Sequence, residues 1–381
     1  MKIAILTQPL HNNYGGNLQN FALQKVLKDL GHDSVTIDRH KPIALRTKLK
    51  LGYFKRLVFH YTKGTPKPSF IAFFSKKHQA SIRVEISRFI DAHVTKTPRL
   101  YSDAEVKQVF SNYAFDAIIV GSDQVWRPRY SPNIYSYFLD FLPNDKSLKK
   151  ITYAASFGTD AWEFTPEQTE RCKQLVQQFD LVTVREKTAV NLVKEKFNKE
   201  AKFVLDPTLL LNKEDYEKLF VNQSLPTNKG IYTYILDNSD WKNQVVDTAK
   251  TKLDLDVFSN QHHVETFGEQ KIPSIEGWIK GFADADFVIT DSFHGTVFSI
   301  IFNKPFISLV NVNRGASRFE SILGELGLME RLLSDFDKQE VLQVLESELD
   351  TVNCNLKLAE LKQKSRKLLQ EALQNEDVKD K

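Results

Sequence analysis

The chain has 381 residues, a formal net charge of +4 at pH 7 and two cysteines, Cys172 and Cys354. This length exceeds one ordinary core and predicts two domains with a cleft between them. Two distant cysteines exclude a disulfide framework, and the mild positive charge suits an enzyme of anionic substrates. The N-terminus lacks the apolar region of a signal peptide and no apolar run approaches about 18 residues, so we expect a soluble cytoplasmic protein.

Alternating strands and helices run along the chain, a pattern typical of mostly parallel sheets covered by helices. The first strand is predicted at residues 2–7, and the helix that follows it ends at Gly31. Further strands are predicted at residues 34–37, 117–120, 151–155, 181–184, 203–205, 231–236, 254–258, 287–290 and 305–310. The predicted fold class is α/β, with two Rossmann-like domains.

A domain boundary is predicted at residues 222–230, where turn residues replace the apolar periodicity. We assign residues 1–224 to the first Rossmann-like domain and residues 225–345 to the second. Residues 346–381 are predicted to form a charged amphipathic helix that packs back across the first domain.

A basic, aromatic segment at about residues 40–110 interrupts the first domain. Its cations are Arg46, Lys48, Lys50, Lys55, Arg56, Lys63, Lys67, Lys76 and Lys77. One interpretation is a helical insertion that contacts a membrane surface or an anionic lipid-linked acceptor. The alternative is a pair of helices packed on the first domain with their lysines in water. Nucleic acid is disfavoured, because no recognisable binding module accompanies the charge.

Residues 291–295, with the sequence DSFHG, form the most informative motif. They lie between the strand at residues 287–290 and a helical apolar run. Ligands of open α/β sheets bind where strand ends and helix starts converge. A histidine there can titrate near neutral pH, so His294 is the leading catalytic candidate.

Two further motifs follow predicted strands. Residues 12–17 (NNYGGN) combine glycines, which allow close backbone approach, with free amides that favour anions at a helix start. A tight turn with Asn17 as helix N-cap accounts for part of this pattern. Residues 121–127 (GSDQVWR) offer a carboxylate, an amide, an indole and a cation, as a sugar site needs. Their structural alternative is a loop whose aspartate caps the next helix.

Charged residues follow three more strands. Arg185 is placed to bind a carboxylate or phosphate through two hydrogen bonds, although residues 185–187 also fit an exposed charge cluster at a helix start. Residues 206–208 (DPT) fit a turn better than a site. Arg314 and Arg318 could add positive charge to the cleft, and Arg318 fits a helix surface equally well.

Six motifs occur in an order that resembles the polysaccharide pyruvyl transferase family over roughly residues 1–325. They are YGGNLQN at 14–20, GSDQVW at 121–126, AASFG at 154–158, VRE at 184–186, LDPT at 205–208 and TDSFHG at 290–295. The resemblance implies a fold similar to the glycosyltransferase type B architecture, with an acceptor-side first domain and a donor-side second domain. It also implies phosphoenolpyruvate as donor and co-substrate, with no other cofactor and no metal.

The implied acceptor is a sugar hydroxyl or diol of a cell-surface polysaccharide or its lipid-linked precursor, met at the inner face of the membrane. His294 is expected to act as acid or base, with Asp291 orienting its ring or Asp123 taking the acceptor proton. The donor site is expected to comprise Arg185, Ser292, Gly295, Arg314 and Arg318. The acceptor site is expected to comprise Asn13, Tyr14, Gly15, Gly16, Asn17, Ser122, Gln124 and Trp126.

Family members often carry an arginine at the position of Ser292, so a second donor cation is expected from Arg314 or Arg318. Two alternatives to pyruvyl transfer stay open. One is a nucleotide-sugar glycosyltransferase of the same architecture. The other is a non-catalytic family member that binds a phosphorylated ligand in polysaccharide assembly. The sequence does not specify the acceptor sugar, the linkage or the oligomeric state.

Overall fold

The computed structural model describes residues 1–41, 53–62, 83–142, 148–260, 272–310 and 315–374. Strands of the first half are β1 (Lys2–Leu6), β2 (Asp33–Thr36), β3 (Ala117–Gly121), β4 (Lys149–Tyr153), β5 (Thr183–Val184) and β6 (Lys202–Phe203). Strands of the second half are β7 (Ile231–Tyr234), β8 (Val257–Phe258), β9 (Phe287–Thr290), β10 (Phe306–Leu309) and β11 (Leu332–Leu333). The ten predicted strands all overlap observed ones, and β11 was not predicted.

Two parallel sheets organise these strands. The first has the order β2-β1-β3-β4, and the β5-β6 pair extends it through parallel bridges from Ile151 to Leu181 and from Ala155 to Val184. The second has the order β11-β10-β9-β7-β8. Central strands such as β3 and β9 are buried along their whole length and mostly apolar, as expected where helices cover both faces. The predicted α/β fold class is therefore confirmed.

Helices cover both sheets. Those of the first half are α1 (Tyr14–Asp29), α2 (53–62), α3 (Val84–His93), α4 (Asp103–Asn112), α5 (Pro166–Val176) and α6 (Lys187–Phe197). The others are α7 (Lys213–Glu217), α8 (Asp240–Leu253), α9 (Ile275–Asp284), α10 (Phe293–Ile301), α11 (Ser317–Leu326), α12 (Lys338–Glu346) and α13 (Thr351–Leu373). No helix among the described residues combines the length and apolarity that a membrane span requires.

The basic, aromatic insertion contains α2, α3 and α4. Phe89 of α3 is fully buried and belongs to the same core as the buried face of α1, and Arg88 donates to Glu276 of α9 at 2.8 Å. This part of the insertion packs on the rest of the chain, as the second interpretation expects. Most of its predicted cations, such as Arg46 and Lys76, lie outside the described residues.

The C-terminal helix α13 returns to the first half of the chain. Its Leu369 and Leu373 are buried in the core that also contains the inner face of α1. Ser365 Oγ accepts a hydrogen bond from the backbone N–H of Leu205 at 3.1 Å, and Lys362 Nζ donates to the carbonyl of Leu211 at 2.8 Å. The predicted return of the C-terminal helix is confirmed.

The packing of α13 predicts different costs for two leucine truncations on one helix. Leu369 is 1% exposed and Leu356 is 63% exposed. We expect Leu369→Ala to lower the free energy of unfolding by about 2–5 kcal/mol, because it leaves a cavity. Leu356→Ala should change it by about 0.5 kcal/mol or less. Equilibrium urea denaturation followed by circular dichroism measures both, and equal effects would contradict the packing of α13.

Candidate active site

Polar side chains from both sheets meet at the carboxyl ends of their strands. Ser122 and Asp123 follow β3, Arg185 follows β5 and Asp206 comes shortly after β6. His294 belongs to the second sheet and lies in the first turn of α10, just after β9. Parallel strands place their carboxyl ends at one edge of a sheet, and the edges of the two sheets meet at these five residues.

The Arg185 guanidinium lies at the centre of this cluster and is only 3% exposed. Its Nη1 lies 2.7 Å from Asp206 Oδ2, and its Nη2 lies 3.4 Å from Asp123 Oδ1. An arginine buried this deeply needs counter-charges, because desolvating an isolated charge is costly. Arg185 is therefore not a free cation, and an anionic ligand would share it with two carboxylates.

Asp206 was predicted to form a turn, but the structure also places it in the cluster. Its Oδ2 accepts a hydrogen bond from Ser122 Oγ at 3.0 Å, and its Oδ1 accepts from Thr208 Oγ1 at 2.7 Å. Burial disfavours its charge, but the neighbouring His294 and Arg185 keep the pKa of Asp206 below its usual value. Asp206 does cap a short 3-10 helix, Pro207–Leu210, and the same carboxylate also serves the cluster.

His294 is packed between the two halves of the chain. Its Nε2 lies 3.8 Å from Asp206 Oδ2 and makes no hydrogen bond to any described residue. A Cβ placed on Gly15 would lie 2.0 Å from His294 Nδ1, so only glycine leaves room for the imidazole against α1. Burial lowers the pKa of His294 to about 4, although Asp206 opposes this shift. The ring is therefore neutral at pH 7, and one of its nitrogens keeps a lone pair.

The start of α1 differs from the prediction. Asn13, not Asn17, is the N-cap: its Oδ1 accepts from the backbone N–H of Gly16 at 3.1 Å, and its Nδ2 donates to Asp123 Oδ2 at 3.2 Å. Asn17 lies inside the first turn and is buried, where its Nδ2 donates to the carbonyl of His11 at 2.6 Å. Asn13 thus joins the cluster, whereas Asn17 stabilises the loop before α1.

Two aromatic residues predicted to bind the acceptor lie in the core instead. Tyr14 stacks on Trp278 of α9, with ring centroids 5.5 Å apart, and its hydroxyl donates to the carbonyl of Pro273 at 2.8 Å. Trp126 is fully buried, and its Nε1 donates to the carbonyl of Tyr137 at 3.1 Å. Neither ring offers a face for a sugar. Tyr14 instead holds the start of α1 against the second half of the chain.

Asp291 binds neighbours other than the predicted imidazole. Its Oδ1 accepts from the backbone N–H of Leu236 at 2.6 Å, and its Oδ2 accepts from the N–H of Asp237 at 3.0 Å. Lys242 Nζ also lies 2.6 Å from Oδ2. These bonds join the loops after β7 and β9, which favours a structural role, and the orientation of His294 by this carboxylate stays a prediction.

Ser292 and Gly295 shape the turn that carries His294. Ser292 is the N-cap of α10, since its Oγ accepts from the backbone N–H of Gly295 at 3.4 Å. A Cβ on Gly295 would lie 2.2 Å from Thr290 Oγ1, so this glycine lets the helix start close to the strand. Their contact with a donor stays a prediction.

Arg318 reaches the cluster from α11. Its guanidinium lies 5.6 Å from the centre of the Phe293 ring, and the Arg185 guanidinium lies 4.9 Å from the same ring. Burial and the nearby charge of Arg185 lower the pKa of Arg318 to about 10, so it remains a cation at pH 7. Arg318 is buried and does not lie on an exposed helix surface. Arg314, the other candidate, lies outside the described residues.

Gln124 and its neighbour Arg127 hold the loop after β3. Gln124 Oε1 accepts from Arg127 Nη1 at 2.9 Å, and Arg127 also pairs with Glu163 at 2.8 Å. The predicted acceptor role of Gln124 stays a prediction. Within the described ranges, no group of three or more His, Cys, Asp or Glu side chains is placed to hold a metal ion.

Glu186 belongs to the VRE motif at residues 184–186 but was not among the predicted site residues. The alternative to a binding role was that residues 185–187 form an exposed charge cluster. The structure instead buries Glu186, which is 2% exposed. Its carboxyl lies beside Arg185, with 4.0 Å between Arg185 Nε and Glu186 Oε1. Only Lys187 of this trio is exposed, and it pairs with Glu325 of α11. The run of three charges gives no local sign of which one is buried.

Comparison with known families agrees with the resemblance. The family model described as polysaccharide pyruvyl transferase matches residues 13–313, which include every described member of the cluster except Arg318. No curated protein matches the chain closely enough to count as a relative.

Solved structures share the architecture at low sequence identity. The glycotransferase of kitacinnamycin is 12% identical with a TM-score of 0.50, and the match covers 98% of this chain and 99% of the other. A putative UDP-N-acetylglucosamine 2-epimerase from Listeria monocytogenes is 11% identical with a TM-score of 0.50, covering 95% and 90%. Their glycosyltransferase type B architecture is the fold of this chain. At this identity the likeness shows the fold alone.

The low pKa of His294 predicts an acid-sensitive contribution to stability. The unfolded chain takes up this proton near pH 6.5, whereas the folded chain resists it down to about pH 4. Stability is therefore present above pH 6.5 and is lost as pH falls from 6.5 towards 4, by at most about 3 kcal/mol. We expect His294→Gln to lose less stability than the native chain between pH 7 and 5. Urea denaturation at each pH measures this, and parallel pH curves would contradict it.

Proposed function

Because the chain belongs to the polysaccharide pyruvyl transferase family, we propose that it moves a pyruvyl group from phosphoenolpyruvate to a sugar hydroxyl or diol and releases phosphate. The acceptor is a cell-surface polysaccharide or its lipid-linked precursor. One observation carries the proposal: neutral His294 from the second half meets the buried Arg185–Asp206–Asp123 cluster of the first half.

Transfer to a diol requires four changes in bonding. The methylene carbon of phosphoenolpyruvate gains a proton, a sugar hydroxyl attacks the carbon that bears the phosphate, the C–O bond to phosphate breaks, and a second hydroxyl closes the ketal. Of the two hydroxyl protons, one balances the new methyl group and one leaves with phosphate. The reaction therefore needs a base for the hydroxyl and an acid for the methylene carbon.

His294 is suited to the base role. Its Nε2 is buried and has no hydrogen-bond partner among the described residues, and in the tautomer that carries its proton on Nδ1 the Nε2 lone pair would face a hydroxyl placed in the cluster. Once protonated, the imidazolium would be stabilised by Asp206, whose Oδ2 lies 3.8 Å away. Asp123 is a less available base, because it already accepts from Arg185 and Asn13.

Donor binding requires positive charge for a carboxylate and a phosphate. Arg185 and Arg318 lie on the Phe293 ring and bring cations from both halves of the chain to one place. A buried arginine interacts strongly with an oxyanion, because little water screens the pair. This arrangement supports Arg318 as the second donor cation in a chain that carries Ser292.

The donor prediction can be tested by ligand stabilisation before the acceptor is known. A ligand that binds only the folded chain raises the melting temperature. We expect phosphoenolpyruvate to raise it and UDP-N-acetylglucosamine to leave it unchanged. The reverse result would favour the nucleotide-sugar glycosyltransferase.

The catalytic role of His294 is tested by substitution. We expect His294→Ala to lower phosphate release, measured over a panel of sugar acceptors, by about 10²–10⁴-fold. The matched control is His93→Ala, on the exposed end of α3, and near-native turnover by a folded His294→Ala would refute the assignment.

The exposed face of α2 supports contact with an anionic lipid surface, where a lipid-linked acceptor would lie. Phe54, Val58 and Tyr61 are 56%, 59% and 73% exposed, and their spacing places them on one side of the helix. Lys55 and Arg56 are exposed beside them. Aromatic side chains flanked by cations suit the boundary between lipid headgroups and acyl chains.

Vesicle binding tests this contact. We expect sedimentation with vesicles of equal parts phosphatidylglycerol and phosphatidylcholine, and little with phosphatidylcholine alone. Replacing Lys55 and Arg56 by Gln should weaken binding about tenfold or more. Val58→Ser should also weaken it, whereas Val352→Ser, a matched control that is 72% exposed on α13, should not. Equal binding of all variants would assign the exposed face another role.

A further inference from the structure

Within the part of the chain that the structure describes, two buried polar atoms beside the cluster have no hydrogen-bond partner. Glu186 follows Arg185 directly, and its Oε1 accepts from Ser156 Oγ while its Oε2 has no hydrogen-bond partner among the described residues. Arg185 Nε likewise has no hydrogen-bond partner in the described ranges, and it lies 4.0 Å from Glu186 Oε1. A buried donor and a buried carboxyl oxygen rarely stay unmatched in a native protein. Side by side, they mark bonds that a ligand would make.

This pair lies where the two halves of the chain touch. The backbone N–H of Lys187, the next residue, donates to Ser321 Oγ of α11 at 2.9 Å. A Cβ on Gly315, just before α11, would lie 2.5 Å from the carbonyl oxygen of Gly158, which follows Ser156 in the loop after β4. Arg318 of α11 contributes its positive charge to the same carboxyl. A ligand held by Glu186 would therefore meet both halves.

The charges around Glu186 bear on whether its carboxyl is protonated. Arg185 and Arg318 face three buried carboxyl groups, those of Asp123, Asp206 and Glu186. Burial raises the pKa of Glu186, and the charge of Arg185 offsets this only in part. A neutral Glu186 leaves two cations against two carboxylates, whereas an ionised one would repel an anionic ligand. A neutral carboxyl also provides an O–H donor.

We propose that Arg185 Nε and Glu186 Oε2 form a subsite for a ligand carboxylate, in which one oxygen accepts the Arg185 N–H and the other accepts the Glu186 O–H. Two donors side by side match the two oxygens of a carboxylate. The assignment deepens the proposed function and rests on it, since this group would be the carboxylate of phosphoenolpyruvate. It identifies a positioning role for Glu186 in donor recognition.

Isothermal titration calorimetry with three probes tests the subsite. Pyruvate carries the carboxylate alone, inorganic phosphate carries no carboxylate, and phosphoenolpyruvate carries both groups. We expect Glu186→Ala to weaken pyruvate and phosphoenolpyruvate about 10–100-fold, because a charge-assisted hydrogen bond is lost, and to leave phosphate unchanged. Glu186→Gln keeps an N–H donor and should bind all three within about threefold of native. Glu167→Ala, on the exposed start of α5, is the matched control.

The pH dependence of binding gives a second readout that a structural role would not change. Glu186 is faced by Arg185 at the end of β5, by Arg318 of α11, and by Ser156 and the backbone N–H of Gly158 after β4. As pH rises and Glu186 ionises, native affinity for pyruvate should fall, because the donor becomes a repelling charge. Glu186→Gln should show no such fall. Circular dichroism and melting temperature establish that each variant is folded.

Failure of the subsite and failure of the proposed function give different results. Tight phosphoenolpyruvate binding that Glu186→Ala leaves unchanged would overturn the subsite and keep the donor assignment. Pyruvate binding that depends on Glu186, without binding of phosphoenolpyruvate, would keep the subsite and overturn the donor. Equal losses for phosphate and pyruvate in Glu186→Ala would overturn recognition of a carboxylate. Absence of pyruvate and phosphoenolpyruvate binding to the folded native chain would overturn both.

Discussion

The buried ion pair between Arg185 and Asp206 is the interaction on which the site depends. A guanidinium that is 3% exposed persists only with counter-charge and hydrogen bonds around it, and Asp206 provides both at 2.7 Å. Asp206 in turn accepts from Ser122, so one carboxylate joins the ends of β3, β5 and β6. Because its Oδ2 also lies 3.8 Å from His294, the pair sets the electrostatic surroundings of a residue from the other sheet.

Burial shifts the pKa values of two groups in opposite directions: it lowers that of the His294 imidazole and raises that of the Glu186 carboxyl. Burial keeps the His294 imidazole neutral, and it favours the neutral form of the Glu186 carboxyl. At pH 7 the imidazole therefore keeps a lone pair, and the neutral form of the carboxyl can donate a hydrogen bond. Neither state needs a special partner, because both follow from removing water around a cluster whose net charge stays near zero. Paired groups of this kind are a common way to separate donor from acceptor roles within one site.

The sheets could be predicted because strand signals are local. Apolar runs such as 117–120 and 287–290 end abruptly at polar residues, and all ten predicted strands overlap observed ones. Which polar residue after a strand reaches the cluster is a long-range property. Trp126 follows β3 as Asp123 does, yet its indole packs in the core. Asp206 fits a turn by every local rule, and its second role depends on Arg185, 21 positions earlier in the chain. Contacts between side chains so far apart in the chain leave no periodic pattern in the sequence.

The residue at position 292 can either cap the helix that follows or bring positive charge to the site, and Ser292 does the first. As N-cap of α10 it provides an acceptor for the backbone N–H of Gly295, which a long cationic side chain could not replace in the same way. Ser292 therefore stabilises the helix start and brings no positive charge to this turn. Arg318 approaches the cluster from α11 instead and lies on the opposite side of the domain contact from Arg185, with Phe293 contacting both guanidiniums. The position of Arg318 relative to Arg185 depends on how the two halves pack. Tyr14 and Gly15 take part in that packing at α1, so they help to keep the two guanidiniums close together.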